Sequence, residues 1–313
     1  MYDSSTDFYN NVIDQSLRVQ NSHHLERTPS TGGNQSTWTF SAWIKRSKLG
    51  SVQHIWTPHR GGDGTNESAF RFLANDKLNI YDSGATRGQV TTTAVFRDVG
   101  QWYHIVVQFD LTNSTANDRV KIYVNNVLQA KTVNNAIGTS VWGWNANNQR
   151  HRLGGYAYPS NDTTNSFDGY MAEVNFIDGT VVAPTAFGET KETIWIPKEI
   201  TGLTYGTNGF RMTFADSSDI GNNANSTDGT NDFTTVTGLT SADVVPDSPE
   251  NNFCTMNPLD KNSMTVSNGN LKVVPAADYR AIRGTVGIPT SGKWYFEARI
   301  LTPGGGNVQD NQI

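Results

Sequence analysis

Cysteine, charge and long apolar runs are all scarce in this sequence. Cys254 is the one cysteine among 313 residues, so neither an internal disulfide nor a cysteine-built zinc site staples the fold. No run of 18 apolar residues occurs, which excludes a membrane-spanning helix. Charged residues make up 17%, with 24 Lys+Arg against 29 Asp+Glu and a net charge of -5. Binding to nucleic-acid phosphates calls for a basic surface, so nucleic acid is not an expected partner. The N-terminus, MYDSSTDFYNN, has neither a basic nor an apolar leader segment. The expectation is a chain that folds in a reducing cytoplasm, with Cys254 an inert thiol. A helical period is missing too: no window of ten residues sustains apolar positions at i, i+3, i+4 and i+7.

Aromatic residues are abundant: 8 Trp, 11 Tyr and 14 Phe within a hydrophobic fraction of only 36%. Large rings let a modest number of residues fill a core. At ~150 residues per domain the length suggests about two domains. Apolar residues alternate with a period of two, the strand period. Trp38, Phe40, Ala42 and Ile44 share one face, and Tyr103, Ile105, Val107 and Phe109 share another. Val120, Ile122 and Val124 begin a hairpin that turns at Asn125-Asn126, a pair tolerant of positive φ, and returns over 127–132. Tyr170, Ala172, Val174 and Phe176 line one side of a further strand between Asp168-Gly169 and Asp178-Gly179. Short strands separated by turns predict an all-β fold, an antiparallel jelly-roll β-sandwich.

From Pro184 to Glu199 the alternation fades into an irregular arm with room for one short helix. Phe210–Phe214 reads as a closing strand. Residues 216–262, rich in Asn, Asp, Gly and Pro, read as a linker. A second β unit starts near Ser263, and its best strand is Trp294–Ile300, with Trp294, Phe296, Ala298 and Ile300 on one face. The domain expectation is therefore a sandwich over 1–215, a linker over 216–262 and an incomplete β segment over 263–313. The segment is either part of a longer chain or completed by another chain.

Four segments, Thr39–Lys45, Gln101–Asp110, Ile122–Leu128 and Phe167–Val174, resemble in order the strands of a laminin-G-like, concanavalin A-like jelly roll. A second resemblance is to structural proteins of tailed phages, especially marine ones. It rests on Phe176–Gly179, Ala186–Glu189, Ile194–Lys198, Tyr205–Phe210 and Asp247–Phe253, with Gly292–Glu297 similar to the first strand of a SPRY sandwich. These resemblances imply a virion structural protein: a tail fibre, spike or head decoration. Its partners would be other virion proteins, copies of itself and a host surface glycan, and it would be assembled in the host cytoplasm.

Glycosidases of this fold need two carboxylates across the scissile bond. A Glu-x-Asp-x-x-Glu run would place two on one strand face, and none occurs; Glu173 is followed two residues later by Asn175, not Asp. Nucleophile-elbow, Walker and His-Glu-x-x-His motifs are absent as well. The expectation is a non-enzymatic protein, with a polysaccharide depolymerase or a free-standing lectin as alternatives. His104 is expected to be a hydrogen-bonded sandwich histidine. Asp216, Asp219, Asn222, Asn225, Asp228 and Asp232 offer oxygen ligands within one loop. Their spacing is not that of a calcium loop, and Asx residues turn chains without metal, so no cofactor is expected and calcium stays the alternative. The segment from Val141 to Phe167 is the candidate contact surface. Trp142, Trp144, Asn148, Arg150, Tyr156 and Tyr158 within it suit a glycan or a neighbouring subunit, and packing on the chain's own sheet is the third reading.

Overall fold

The computed structural model describes residues 8–20, 22–59, 67–83, 88–157, 165–225, 231–276 and 280–301. The strands in chain order begin with β1 (Ser16–Val19), β2 (His24–Arg27), β3 (Thr37–Arg46), β4 (Gln53–His59), β5 (Ser68–Phe72), β6 (Leu78–Asp82) and β7 (Gly88–Thr92). Next come β8 (Tyr103–Asp110), β9 (Val120–Val124), β10 (Val127–Leu128), β11 (Lys131–Asn135), β12 (Arg150–Leu153) and β13 (Gly169–Asp178). The last are β14 (Gly188–Lys191), β15 (Ile194–Pro197), β16 (Phe210–Met212), β17 (Thr235–Thr237), β18 (Val244–Val245), β19 (Thr265–Ser267) and β20 (Lys272–Val274). Two antiparallel sheets of eight strands hold the molecule together. The first runs β10-β9-β8-β3-β13-β1-β18, with β16 also on β13; the second runs β11-β7-β6-β5-β4-β12-β2-β17. The predicted antiparallel sandwich is the observed fold.

Period-two reading succeeds wherever a strand is unbroken. Trp38, Phe40, Ala42 and Ile44 of β3, with Ile105, Val107 and Phe109 of β8, lie in the core between the sheets. Asn125 and Asn126 turn the β9–β10 hairpin at φ of 48° and 65°. The return strand is shorter than expected: it pairs only at Val127 and Leu128, and the chain then crosses to the second sheet, where β11 joins β7.

β13 corrects the alternation read from the sequence. Its register slips between Ala172 and Asn175, and Glu173 sits there at φ 46°. One extra residue flips every later side chain to the other face. Met171, Val174 and Phe176 therefore enter the inter-sheet core, while Tyr170 and Ala172 pack in a separate cluster. The slip also divides the strand's free edge: β1 pairs with 169–171 and β16 with 174–176.

That separate cluster exists because the outer face of the first sheet is covered. The arm over 184–205 is a 3-10 turn followed by the β14–β15 hairpin, and its Phe187, Ile200 and Tyr205 pack on Val106 and Ile177. Trp43, Trp102 and Tyr170 are covered beside Ile13. A polar strap finishes the cover. Buried Lys45 donates to Asp247 Oδ2 at 2.8 Å, Asn252 Oδ1 at 2.8 Å and the Phe253 carbonyl at 2.7 Å. Trp102 Nε1 donates to the other Asp247 oxygen at 3.1 Å. Glu250 accepts the backbone N–H groups of Asn10, Val12 and Ile13.

Residues 216–262 are thus not a linker. β17 extends the second sheet and β18 the first, and Ile220, Phe233 and Leu239 belong to the main core. The β19–β20 hairpin docks as well: the Tyr170 hydroxyl donates to the Gly269 carbonyl at 2.6 Å, and Asn270 Nδ2 to the Ser47 carbonyl at 2.9 Å. The expected strand Trp294–Ile300 does not form. Its residues have no ladder partner among the described residues, and Tyr295 is 86% exposed. A strand periodicity without a second strand leaves the backbone hydrogen bonds to water.

His104 is the satisfied sandwich histidine that its position predicts. The Trp195 indole N–H donates to its Nδ1 at 3.0 Å, and Ser41 Oγ lies 2.9 Å from Nε2. An indole only donates, so Nδ1 is bare and Nε2 carries the proton. Complete burial pushes this imidazole down to about 3.

Candidate functional site

The outer face of the second sheet carries a cluster of charged and aromatic side chains. Phe70, Phe72, Ile80, Val90 and Leu153 point inward, so the residues alternating with them point out. The register sets Arg71 opposite Asn79, Arg152 opposite both Glu26 and Thr57, and Arg150 opposite His59. A slip in β4 between His54 and Trp56 lets Ile55 and Trp56 both enter the core, while His54 stays on the outer side facing Arg71.

One half of this face is built on Tyr81. The Arg71 guanidinium lies 3.9 Å above its ring, and Arg71 Nε donates to Asn79 Oδ1 at 3.1 Å. The Tyr81 hydroxyl donates to Glu67, and burial first of all pushes that phenol upward. Glu67 also lies 3.8 Å from His54 Nε2. Tyr156 stacks on the His54 ring, centroids 4.5 Å apart and planes inclined by 20°. The other half is built on Glu26. Arg152 Nε donates to Glu26 Oε2 at 2.6 Å and Arg150 Nε stands 3.5 Å from the same oxygen. Arg152 Nη1 fixes the Tyr156 carbonyl at 2.7 Å and Arg150 Nη2 the Ala157 carbonyl at 2.6 Å. Burial, then the charges of Arg150 and Arg152, push His59 below the usual imidazole value.

Beside this face, a cleft of about 390 Å³ is lined by Arg27, Ser30, Thr31, Asn208, Asn231 and Asp232 among others. Arg27 donates to the Asn208 carbonyl at 2.5 Å and the Asn231 carbonyl at 2.9 Å. Behind the cleft, Asp178 accepts from Asn145 Nδ2 at 2.6 Å and from the backbone N–H groups of Asn34 and Asn208 at 2.8 and 3.0 Å. Gly33 closes against Asp178 and Asn145, where a Cβ would collide with both side chains.

The residues singled out from the sequence divide accordingly. Trp142 and Trp144 are corrected: both are 0% exposed. They lie stacked 5.7 Å apart, against Phe109 and Trp38 in the core. Two large rings close together in a loop between the sheets gain more by filling that space than by facing water. Asn148 is an exposed turn residue at φ 54° whose N–H reaches the Pro29 carbonyl at 2.7 Å, on the cleft's rim. Arg150 and Tyr156 are half-buried on the outer face. Tyr158 lies outside the described residues. His54, Glu67, Arg71, Tyr81, Glu26 and Arg152 were not anticipated. The alternation Phe70-Arg71-Phe72 was the available signal, since a charge between two core rings marks an outward position.

The oxygen-rich loop does turn chemistry. Asp216 Oδ1 accepts from Ser218 N and Oγ at 2.9 and 2.6 Å, and Asp232 Oδ1 from Asn223 N at 2.8 Å. Asp228 lies outside the described residues. Among the described residues no three His, Cys, Asp or Glu side chains cluster as metal ligands would.

Solved structures with a similar fold include a candidate carbohydrate binding protein from Bacteroides ovatus, at 16% identity and a TM-score of 0.42, covering 65% of this chain and 52% of that one. A heptameric SAP-like pentraxin from Limulus polyphemus is similar at 14% identity and a TM-score of 0.41, covering 56% and 80%. The CBM40 of Ruminococcus gnavus IT-sialidase is similar at 14% identity and 0.36, covering 52% and 92%. The match thus spans about half the length of the Bacteroides protein, and likeness at this level carries no functional argument. No curated protein matches the sequence. Residues 20–186, more than half of the chain, match the family model of the concanavalin A-like lectin/glucanases superfamily, and with its two packed antiparallel sheets the chain belongs to that family.

Proposed function

We propose that this chain is a non-enzymatic attachment module that binds surface glycans through the outer face of its second sheet, and that it serves as a structural protein of a tailed-phage virion. The observation carrying the glycan reading is the half-exposed pair Tyr156 and Tyr81, held rigid by His54 and Arg71 and flanked by guanidinium and carboxylate groups. Sugars offer C–H faces to rings and hydroxyls to such polar neighbours. Both rings are fixed before any ligand arrives, which lowers the ordering cost of binding. The virion reading is supported by the segments resembling phage structural proteins. Three of these, around Asp178, Asn208 and Asp247, are the knots that tie loops and strap to the sandwich.

A glycan array probed with the full chain tests the first part. Binding is expected to at least one oligosaccharide, and to be lost in Tyr156→Ser; an array without any binding rejects it. Antibody labelling of particles of the encoding phage tests the second, with label expected on tail or head. A depolymerase would release reducing ends from a bound polysaccharide, and none are expected.

A further inference from the structure

The Glu26 half of the outer face is out of electrical balance. Arg152 takes the close contact with Glu26 at 2.6 Å, and Arg150 is left with a 3.5 Å approach from Nε to the same oxygen, too long for a hydrogen bond. Arg150 Nη2 is spent on the Ala157 carbonyl, a neutral acceptor. Its Nη1 donates to no group among the described residues, and the side chain is 24% exposed, so those N–H groups open to solvent. Burial and then the Arg152 charge lower the Arg150 pKa, with Glu26 alone opposing. Among the described residues this cation has to share its counter-ion, Glu26, with Arg152, on a chain of net charge -5. It sits in a half-buried place where salt screens poorly. It is also held fast: β12 is paired on both edges, by β2 and β4. The backbone carbonyls of Tyr156 and Ala157 receive the two guanidiniums, while the Tyr156 ring lies on His54.

Resting on the glycan reading, we propose that this site selects acidic sugars: a ring packs against Tyr156 while its carboxylate docks on the free edge of Arg150. A guanidinium edge matches a planar carboxylate in a way that an ammonium does not. Glu26 keeps Arg152 in place and, by its own charge, turns away anions that do not reach Arg150. Sulfated sugars present the same anionic chemistry in tetrahedral form and bind less tightly to a planar fork.

The test is a glycan array containing uronate- and sialate-bearing oligosaccharides, their carboxyl-reduced neutral counterparts and sulfated equivalents. It is probed with the full-length chain and with Arg150→Gln and Arg150→Lys, each first confirmed folded by its melting temperature. The expected result is binding enriched in carboxylated sugars. In Arg150→Gln it is weaker by about ten-fold or more, the scale of one hydrogen bond to a charged group, and Arg150→Lys recovers only part of it. Equal binding of acidic and reduced sugars, or acidic binding unchanged in Arg150→Gln, overturns the acidic assignment and leaves the glycan reading standing. Preference for sulfated over carboxylated sugars overturns the carboxylate geometry. No binding to any sugar removes both.

Discussion

The two sheets of this sandwich treat their outer faces in opposite ways. The centre of the first sheet is buried on both sides: every residue of β13 is buried, and Lys45 and His104 are sealed beneath the strap and the arm. The second keeps Arg71, Tyr81, Tyr156 and Arg150 half-open above a core of the same quality. The difference lies in where the chain goes after β13. Phe187, Ile200 and Tyr205 and the Asp247 strap lie on the outer face of the first sheet. Phe210, Ile220, Phe233 and Leu239 enter the core between the sheets, and the outer face of the second is left to polar and aromatic side chains that hold one another in fixed poses. Polar groups on the covered face must be satisfied by protein, since water is excluded; those on the open face can exchange protein partners for a ligand.

The sharpest way to break this contrast is Lys45→Met. It leaves Asp247 buried without its cation, at a cost of about 3–5 kcal/mol, measured by denaturant unfolding. A value near zero would mean that the strap is not closed in solution. Acid gives the next largest effect. His104 and His151 are both pushed down to about 3 by burial, below their unfolded value of about 6.5. Between these values the unfolded chain binds two protons that the folded chain refuses. Stability therefore falls as pH drops through that window, by about 2.7 kcal/mol per pH unit at its steepest. Melting curves from pH 7 to 4 measure it, and His104→Gln should flatten the slope by half.

Asp168, two residues before Tyr170, carries the opposite sign. Burial pushes it up to about 6, with Lys48 opposing. The folded state holds this proton more tightly, so its contribution is present below pH 4 and lost as pH rises through 6. Asp168→Asn is expected to stabilise the chain at pH 7 by about 3 kcal/mol, read from unfolding midpoints at pH 7 and pH 4, and equal shifts at both would contradict the assignment. The smallest stability effect belongs to the open face. Arg71→Gln should change unfolding free energy by less than about 1 kcal/mol, while disturbing any ligand bound on Tyr81. A large loss there would erase the distinction between the faces.

Sequence periodicity reached the first sheet and largely missed the second. β3, β8 and β9 are long, regular and flanked by clear turns, so their inward residues could be named. β13 could not be read past Glu173, because a bulge adds one residue without any compositional mark and reverses the parity of everything after it. The stretch over 216–262 looked like a linker because its composition is that of turns. What makes it structural is a few isolated anchors: Phe233 and Leu239 in the core, and Asp247 and Glu250, whose partners Lys45 and Ile13 lie 202 and 237 residues away. Trp142 and Trp144 failed as surface candidates for a similar reason: a loop tryptophan has the same local signature whether it faces solvent or the space between two sheets. Arg150 and Tyr156 were legible as a polar and an aromatic residue in one segment. Their companions Arg71, Tyr81 and Glu26 come from other strands, and only the pairing register brings them together.

The strap also has a consequence for biosynthesis. Lys45 meets Asp247 across 202 positions, and Glu250 gathers the N–H of Ile13 across 237. Contacts this distant along the chain make for slow folding. On the ribosome, Trp43, Lys45 and Trp102 emerge long before their cover is translated. A nascent chain therefore shows an adhesive apolar sheet for many seconds at ordinary elongation rates, and its safe passage depends on chaperone holding or on slow pairing of the first sheet until residue 253 has cleared the exit tunnel.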